Sequence, residues 1–309
     1  MEEQAAIFAT IATAIVLEAS PFLLLGSLFA AVFELYAEPE ALARRLPSSR
    51  PGQLLAGLFG GLLLPTCECG TVPLTRRLLA KGVSPRTALA FMLAAPVANP
   101  VVLAGTYVAF RGEWSMVLGR LAMVLVPAAA LAWAAGEVPV RKLLRARLDA
   151  SPHGDGCACG CGHEHHHGPA PRGLRAIPRL LALAGQEFLH MAGFLILGAL
   201  AAAAVKTFLP QDLLFGLASS PVLAIAAMML LAVLLSVCSE ADAFVAAGFA
   251  SFPMQAQVAF TAIGPMVDLK LLPLYFGVFA RPLAVALVVV PAVSVFFLSL
   301  AWVWLGGGL

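Results

Sequence analysis

Charge is what this sequence has least of. Asp, Glu, Lys and Arg make up 12% of its 309 residues, against about 25% in a soluble domain, which excludes a water-facing surface around most of the chain. The formal net charge is only +2, and no basic stripe is present that would engage nucleic acid. No G-x-x-x-x-G-K-[ST] run occurs, so an ATP-binding motif of that kind is absent. The opening Met1-Glu2-Glu3 has no Lys or Arg, and so lacks the basic start of a cleaved signal peptide. The six cysteines are not spaced as the disulfide framework of a small secreted protein. Apolar sequence fills the space that charge leaves: 61% of residues are hydrophobic, and mean hydropathy is +0.93. Blocks long enough to cross a hydrocarbon core of roughly 30 Å run over about 6–35, 87–110, 115–136, 178–208, 255–279 and 283–305. The expected class is an all-α polytopic membrane protein in a cell inner (plasma) membrane, with the bilayer as its surroundings.

Two further apolar blocks, about 53–80 and 221–252, are interrupted midway by polar clusters. The first is Pro65-Thr66-Cys67-Glu68-Cys69-Gly70; the second is Cys238-Ser239-Glu240-Ala241-Asp242. Ionisable groups at lipid depth cost several kcal/mol each, so by default they mark the path of an ion or polar solute. Thiols beside carboxylates narrow that solute towards a metal or metalloid. Cys67, Cys69 and Cys238 could form a three-thiolate set suited to Cu(I), trivalent arsenic or Zn with a further ligand; a lone Cys is otherwise a small buried hydrophobe. Glu68, Glu240 and Asp242 must line a pore, pair with a cation or stay protonated.

Asn99 and Asp268 each follow a proline, Pro96 and Pro265, that frees a helix carbonyl. Together these oxygens suit a cation or polar solute, against the plainer reading of kinks satisfied by neighbouring side chains. Lys270 is read as the neutraliser of Asp268. Glu18 in the first block, and Glu187 with His190 in the fifth, are candidates for proton coupling; for His190 the competing reading is an interhelical hydrogen bond.

The chain reads as two related halves. Pro21-Phe22-Leu23-Leu24-Leu25-Gly26 matches Gly193-Phe194-Leu195-Ile196-Leu197-Gly198, Cys67 falls opposite Cys238, and Phe91, Pro96 and Asn99 fall opposite Phe260, Pro265 and Asp268. Arg44, Arg45, Arg50, Arg76, Arg77, Lys81 and Arg86 flank the 53–80 block at both ends, whereas 209–220 and 252–257 contain neither Lys nor Arg. Both flanks of the first block therefore belong to the cytoplasm, and a block with both ends on one side is a re-entrant hairpin. Its first leg, Gln53 to Leu64, is about 18 Å as a helix, roughly half a membrane. The expected fold is two pseudo-symmetric, inverted repeats, each with long spanning helices and a broken or re-entrant hairpin. The first repeat covers 1–137 and the second 178–309, with a cytoplasmic linker at 138–177 and the N-terminus outside. The rival is eight plain spans with parallel halves.

The linker carries His153, Cys157, Cys159, Cys161, His163, His165, His166 and His167. Three thiols and five imidazoles within fifteen glycine-spaced residues make a flexible chelator for Zn, Cu or a similar ion. The Cys-x-x-Cys spacing of folded zinc modules is absent, so a capture tether is expected rather than an ordered site.

The Pro65–Gly70 cluster, the Pro96-Val97-Ala98-Asn99-Pro100 stretch and the Cys238–Asp242 cluster resemble the ArsP-type predicted permeases over nearly the whole chain outside the linker. That resemblance implies an efflux permease. Some members export trivalent organoarsenicals through cysteine thiols, a role that falls here on Cys67 and Cys69, with Cys238 added. A branch with a Cys/His-rich central loop is associated with copper or zinc efflux, and 157–167 resembles that loop. The expectation is a secondary transporter, not an enzyme, that exports Zn or Cu, with As(III) next, and has no catalytic cofactor. A membrane thiol oxidoreductase using Cys67 and Cys69, or a metal-responsive channel, are the alternatives. The Gly57, Gly60 and Gly61 run can pack helices within one chain or between two, so an oligomer is compatible with it.

Overall fold

The computed structural model describes residues 2–36, 47–62, 66–145, 177–208 and 220–305. Among them the architecture is all-α: the described residues form no strand, and a single isolated bridge joins Leu144 to Phe279. The first part of the chain forms α1 (Glu2–Tyr36), α2 (Arg50–Leu58), α3 (Glu68–Ala80), α4 (Pro85–Ala94), α5 (Pro100–Ala109), α6 (Trp114–Ala135) and the short α7 (Val140–Leu143). The second part forms α8 (Ile177–Phe208), α9 (Pro221–Leu235), α10 (Asp242–Gly248), α11 (Met254–Ile263), α12 (Leu271–Val278) and α13 (Arg281–Leu305).

Capping chemistry divides the apolar sequence into short pieces. Ser84, Asn99 and Ser220 each stand before a proline, and their side chains accept from the backbone N–H of Thr87, Val101 and Leu223. A polar cap followed by Pro in the first turn is a helix start signal that hydrophobicity does not override. The block 87–110 is therefore not the continuous span expected from hydropathy, and 255–279 is interrupted likewise around Pro265 without such a cap. Each is a helix pair, α4–α5 and α11–α12, separated by an irregular stretch that contains Pro96 or Pro265.

Two described helices are long and apolar enough to cross a membrane alone, Trp114–Ala135 and Arg281–Trp304. They pack antiparallel: Ser299 Oγ lies 3.3 Å from Met123 Sδ, while just beyond the end of α6 the Ala280 N–H donates to Leu143 O at 2.8 Å. Val285, Val289, Val293 and Phe297 follow one another at four-residue spacing along α13 and are all exposed, an apolar stripe suited to lipid.

Helices α2 and α4 run side by side in the same direction. The Thr87 hydroxyl donates to Gln53 O at 3.0 Å, and a Cβ at Gly61 would stand only 2.5 Å from Ala95 Cα. Since α2 and α4 start at one end of the bundle, α3 must return to that end, so α2–α3 is a hairpin. Arg50 and Arg86 both approach Glu137, at 2.7 and 3.7 Å, which places these starts beside the end of α6. At the opposite end, Ser115 Oγ lies 3.5 Å from Met254 Sδ, so α11 starts beside the beginning of α6. Helix α9 runs parallel to α11, with the Leu269 N–H donating to Val233 O near their far ends, and Gln257 Nε2 donates to Phe249 O where the chain returns after α10. The hairpins α2–α3 and α9–α10 thus start from opposite ends of the bundle and meet inside it.

Candidate functional site

The meeting point is a buried cluster around Lys270, in the break between α11 and α12. Its Nζ lies 2.9 Å from Glu68 Oε1, 3.4 Å from Asp268 Oδ2, 3.2 Å from Ser236 O and 3.4 Å from Cys238 Sγ. Glu68, Asp268 and Lys270 are each no more than 1% exposed. The expected pairing of Lys270 with Asp268 is thus secondary, because Glu68 from the other part of the chain stands closer. Glu68 is also held from its other oxygen: Ser239 Oγ is 3.1 Å from Glu68 Oε2 and 3.3 Å from Glu240 Oε2.

Local structure aims each group. Cys67 is the N-terminal cap residue of α3, which puts Glu68 and Cys69 in its first turn. The acid is favourable there because the helix dipole is positive at that end. Ser236 ends α9 in the left-handed region, at φ 48°, unusual for a residue with a side chain. Its hydroxyl donates to Val233 O and accepts from the Leu269 N–H, which turns its own carbonyl towards Lys270. Asp268 divides its oxygens: Oδ1 accepts from the Leu271 N–H at the start of α12 at 2.7 Å, and Oδ2 faces the ammonium. Asn99 makes the corresponding capping bond to Val101 at the start of α5. Asn99 is thus engaged as a helix cap, whereas Asp268 both accepts from a helix-start N–H and pairs with Lys270.

Cys67, Cys69 and Cys238 are buried, and none is in a disulfide. Cys67 and Cys69 flank Glu68 at the start of α3, and Lys270 Nζ reaches Cys238 Sγ at 3.4 Å. Among the described residues, no group of three or more His, Cys, Asp and Glu is arranged to hold a metal ion. The acceptors that converge here surround an ammonium at 2.9–3.4 Å, wider than the roughly 2.0–2.3 Å of Zn bonds to N, O or S.

A second buried ion pair joins Asp242 to Arg120. Arg120 Nη2 lies 2.7 Å from Asp242 Oδ2 and donates to Ser239 O at 3.1 Å, while Nη1 donates to the Thr106 hydroxyl at 2.7 Å. Sequence reasoning overlooked Arg120. The available signal was one arginine inside the otherwise apolar 115–136 block. Glu240 is only half-buried. The side chains of Glu18, Glu187 and His190 lie outside the described part of the molecule, as do all the linker residues from His153 to His167.

A helical bundle with exposed apolar stripes and a polar centre fed by two hairpins has the form of a membrane permease. The family model of ArsP-type predicted permeases matches residues 4–303, and the chain belongs to that family. A Streptococcus mutans protein named as a subunit of a two-component membrane permease complex is 36% identical over 257 residues, covering 83% of this chain and 81% of its own length. The UPF0718 protein YcgR of Bacillus subtilis is 36% identical over 272 residues, covering 86% of this chain and 87% of its own. No solved structure matches the chain.

Proposed function

We propose that this permease exports a soft metal or metalloid ion, with Zn or Cu ahead of trivalent arsenic, from the cytoplasm across the plasma membrane. The observation that carries this reading is the convergence of buried thiols from both hairpins beside the Glu68–Lys270 pair. Cys67 and Cys69 come from the start of α3, and Cys238 comes from the segment after α9. Thiolates select soft ions, and a site drawn from two hairpins of opposite origin can be exposed to each side in turn when the hairpins shift.

The halves are read as inverted repeats, 1–137 and 178–309. The antiparallel packing of α6 against α13 and the opposite starting ends of the two hairpins support this. Arg50, Arg86, Arg141, Lys142 and Arg145 gather where α6 ends, so that end is assigned to the cytoplasm by the positive-inside rule. The 138–177 linker is then assigned to the cytoplasm, where His153, Cys157, Cys159, Cys161, His163, His165, His166 and His167 gather the ion. The relative named as a complex subunit supports a second membrane component as a partner.

The test is flux in everted membrane vesicles, with Zn(II), Cu(I) and trivalent arsenic offered separately, with and without a pH gradient. Gradient-dependent accumulation of one of them is expected, and Cys67→Ser with Cys69→Ser should abolish it without loss of protein from the membrane. Undiminished flux in that double variant would end the thiol mechanism. Deleting 153–167 should reduce resistance to the exported ion several-fold and leave residual transport, because the tether raises local concentration without forming the path.

A further inference from the structure

The ammonium of Lys270 has a coordination shell more like that of a bound cation than that of a surface ion pair. Two carboxylates, a backbone carbonyl and a thiol stand within 3.4 Å of one nitrogen, and every residue that supplies them is at least 96% buried. These ligands come from three separate segments: the start of α3, the end of α9 and the α11–α12 break. A structural counter-charge for Asp268 needs neither Glu68 from the other half nor the left-handed turn at Ser236 that aims its carbonyl.

The surroundings also explain why the cation is a lysine. Its charge sits on a compact head at the end of a flexible four-carbon stem, so it can withdraw while the backbone stays fixed. The backbone at this point is indeed fixed, since α8 presses on it: a Cβ at Gly198 would stand 2.5 Å from Lys270 Cα. A cation brought to this place would meet acceptors that already face one point and would have to draw them in from the 2.9–3.4 Å they keep around the ammonium, and two like charges could not share it at low dielectric.

We propose that Lys270 is a tethered counter-cation that occupies the cargo position and is exchanged for the cargo. Glu68, Asp268 and Cys238 then form the exchange site. This rests on the reading of the thiol cluster as the transport path, and it deepens that reading by fixing the cargo as a cation rather than a neutral metalloid species. When cargo enters, the Nζ leaves Glu68 and Cys238; when cargo departs, the ammonium returns and closes the site. No covalent step is involved.

The test uses purified full-length protein with Cys157, Cys159 and Cys161 replaced by Ser, so that linker thiols do not contribute, and Cd(II) as the probe. The ultraviolet thiolate-to-Cd(II) band reports metal on sulfur. Lys270→Met should bind Cd(II) at least tenfold more tightly than the parent. Lys270→Arg should stay at the parental level, and adding Cys238→Ser to Lys270→Met should remove the gain. A Lys270→Met protein that elutes as the parent does and binds Cd(II) no more tightly overturns the proposal. Should Lys270→Met not fold, amine acylation of Lys270 in the parent, read by peptide mass, replaces it. Saturating Cd(II) should raise labelling several-fold, and unchanged labelling overturns the proposal. The two readings fail separately. A gain of affinity with no flux of Zn(II), Cu(I) or trivalent arsenic in vesicles supports the counter-cation and removes metal export, whereas flux of one of them without a gain of affinity does the reverse.

Discussion

Both hairpin tips place a buried acid against a cation from the other part of the chain, yet the two pairs are built differently. At the first tip, Glu68 meets Lys270, and the lysine is shared with Asp268, Ser236 O and Cys238. At the second tip, Asp242 meets Arg120, whose guanidinium also donates to Ser239 O and the Thr106 hydroxyl. Arginine presents a rigid fork with several donors in fixed directions, whereas lysine is a point charge on a mobile stem. The fork suits a permanent fastening, and the point charge suits a bond that opens and closes. Thiols gather at the lysine pair, while the partners of Arg120 among the described residues are oxygens. One tip is therefore organised as a fastening and the other as an exchange site.

The largest effect should come from breaking the fastening. Arg120→Met strands Asp242 without a cation, and Asp242→Asn strands Arg120 without an acid. Removing one partner of a buried pair costs about 3–5 kcal/mol, because the other is left as an uncompensated buried charge. Each single variant should show a markedly lower Tm in detergent. The double variant Arg120→Met with Asp242→Asn should lose much less than the sum of the two, since contacting residues are not additive. Additive losses would mean that the two side chains act separately.

Glu68→Gln should cost less, about 1–3 kcal/mol, because Lys270 keeps Asp268 as a counter-charge and Ser236 O as an acceptor. Its flux should fall far more than its Tm. An equal fall in stability for Glu68→Gln and Asp242→Asn would erase the distinction between the tips and make both pairs structural.

Much of this centre was legible in the sequence, and what was missed shows what a linear reading lacks. Cys67, Glu68, Cys69, Cys238 and Asp242 stand out because charge and sulfur are scarce in apolar blocks, and solvation cost alone identifies them. The hairpin at 53–80 followed from basic residues at both flanks, which is also a local signal. The pairings were not legible. Lys270 stands two residues from Asp268, so proximity in sequence suggested that partner, whereas the closer carboxylate arrives from α3 about two hundred residues earlier. Arg120 looked like part of a plain span, because nothing near it in sequence hints at Asp242. Hydropathy likewise drew 87–110 and 255–279 as continuous spans, since proline and a polar cap break a helix without lowering mean hydropathy.

The finest test concerns two glycines, each set against one tip, and one of them carries the smallest effect. A Cβ at Gly198 would stand 2.5 Å from Lys270 Cα and 2.9 Å from Lys270 O. Both are backbone atoms, so no side chain can swing aside to make room. At Gly105 a Cβ would lie 3.8 Å from Glu240 O and from the Phe244 ring, which is ordinary contact. Gly198→Ala should therefore cost about 1–3 kcal/mol through overpacking and should depress flux, because it displaces the backbone that carries the ammonium. Gly105→Ala should stay within about 0.5 kcal/mol of the parent with unchanged flux. The informative quantity is flux measured at matched stability. If Gly198→Ala, corrected for its loss of folded protein, transports as well as Gly105→Ala, the position of Lys270 does not matter to the cycle. If it transports less, the rigid seat under a mobile side chain is part of how the site works.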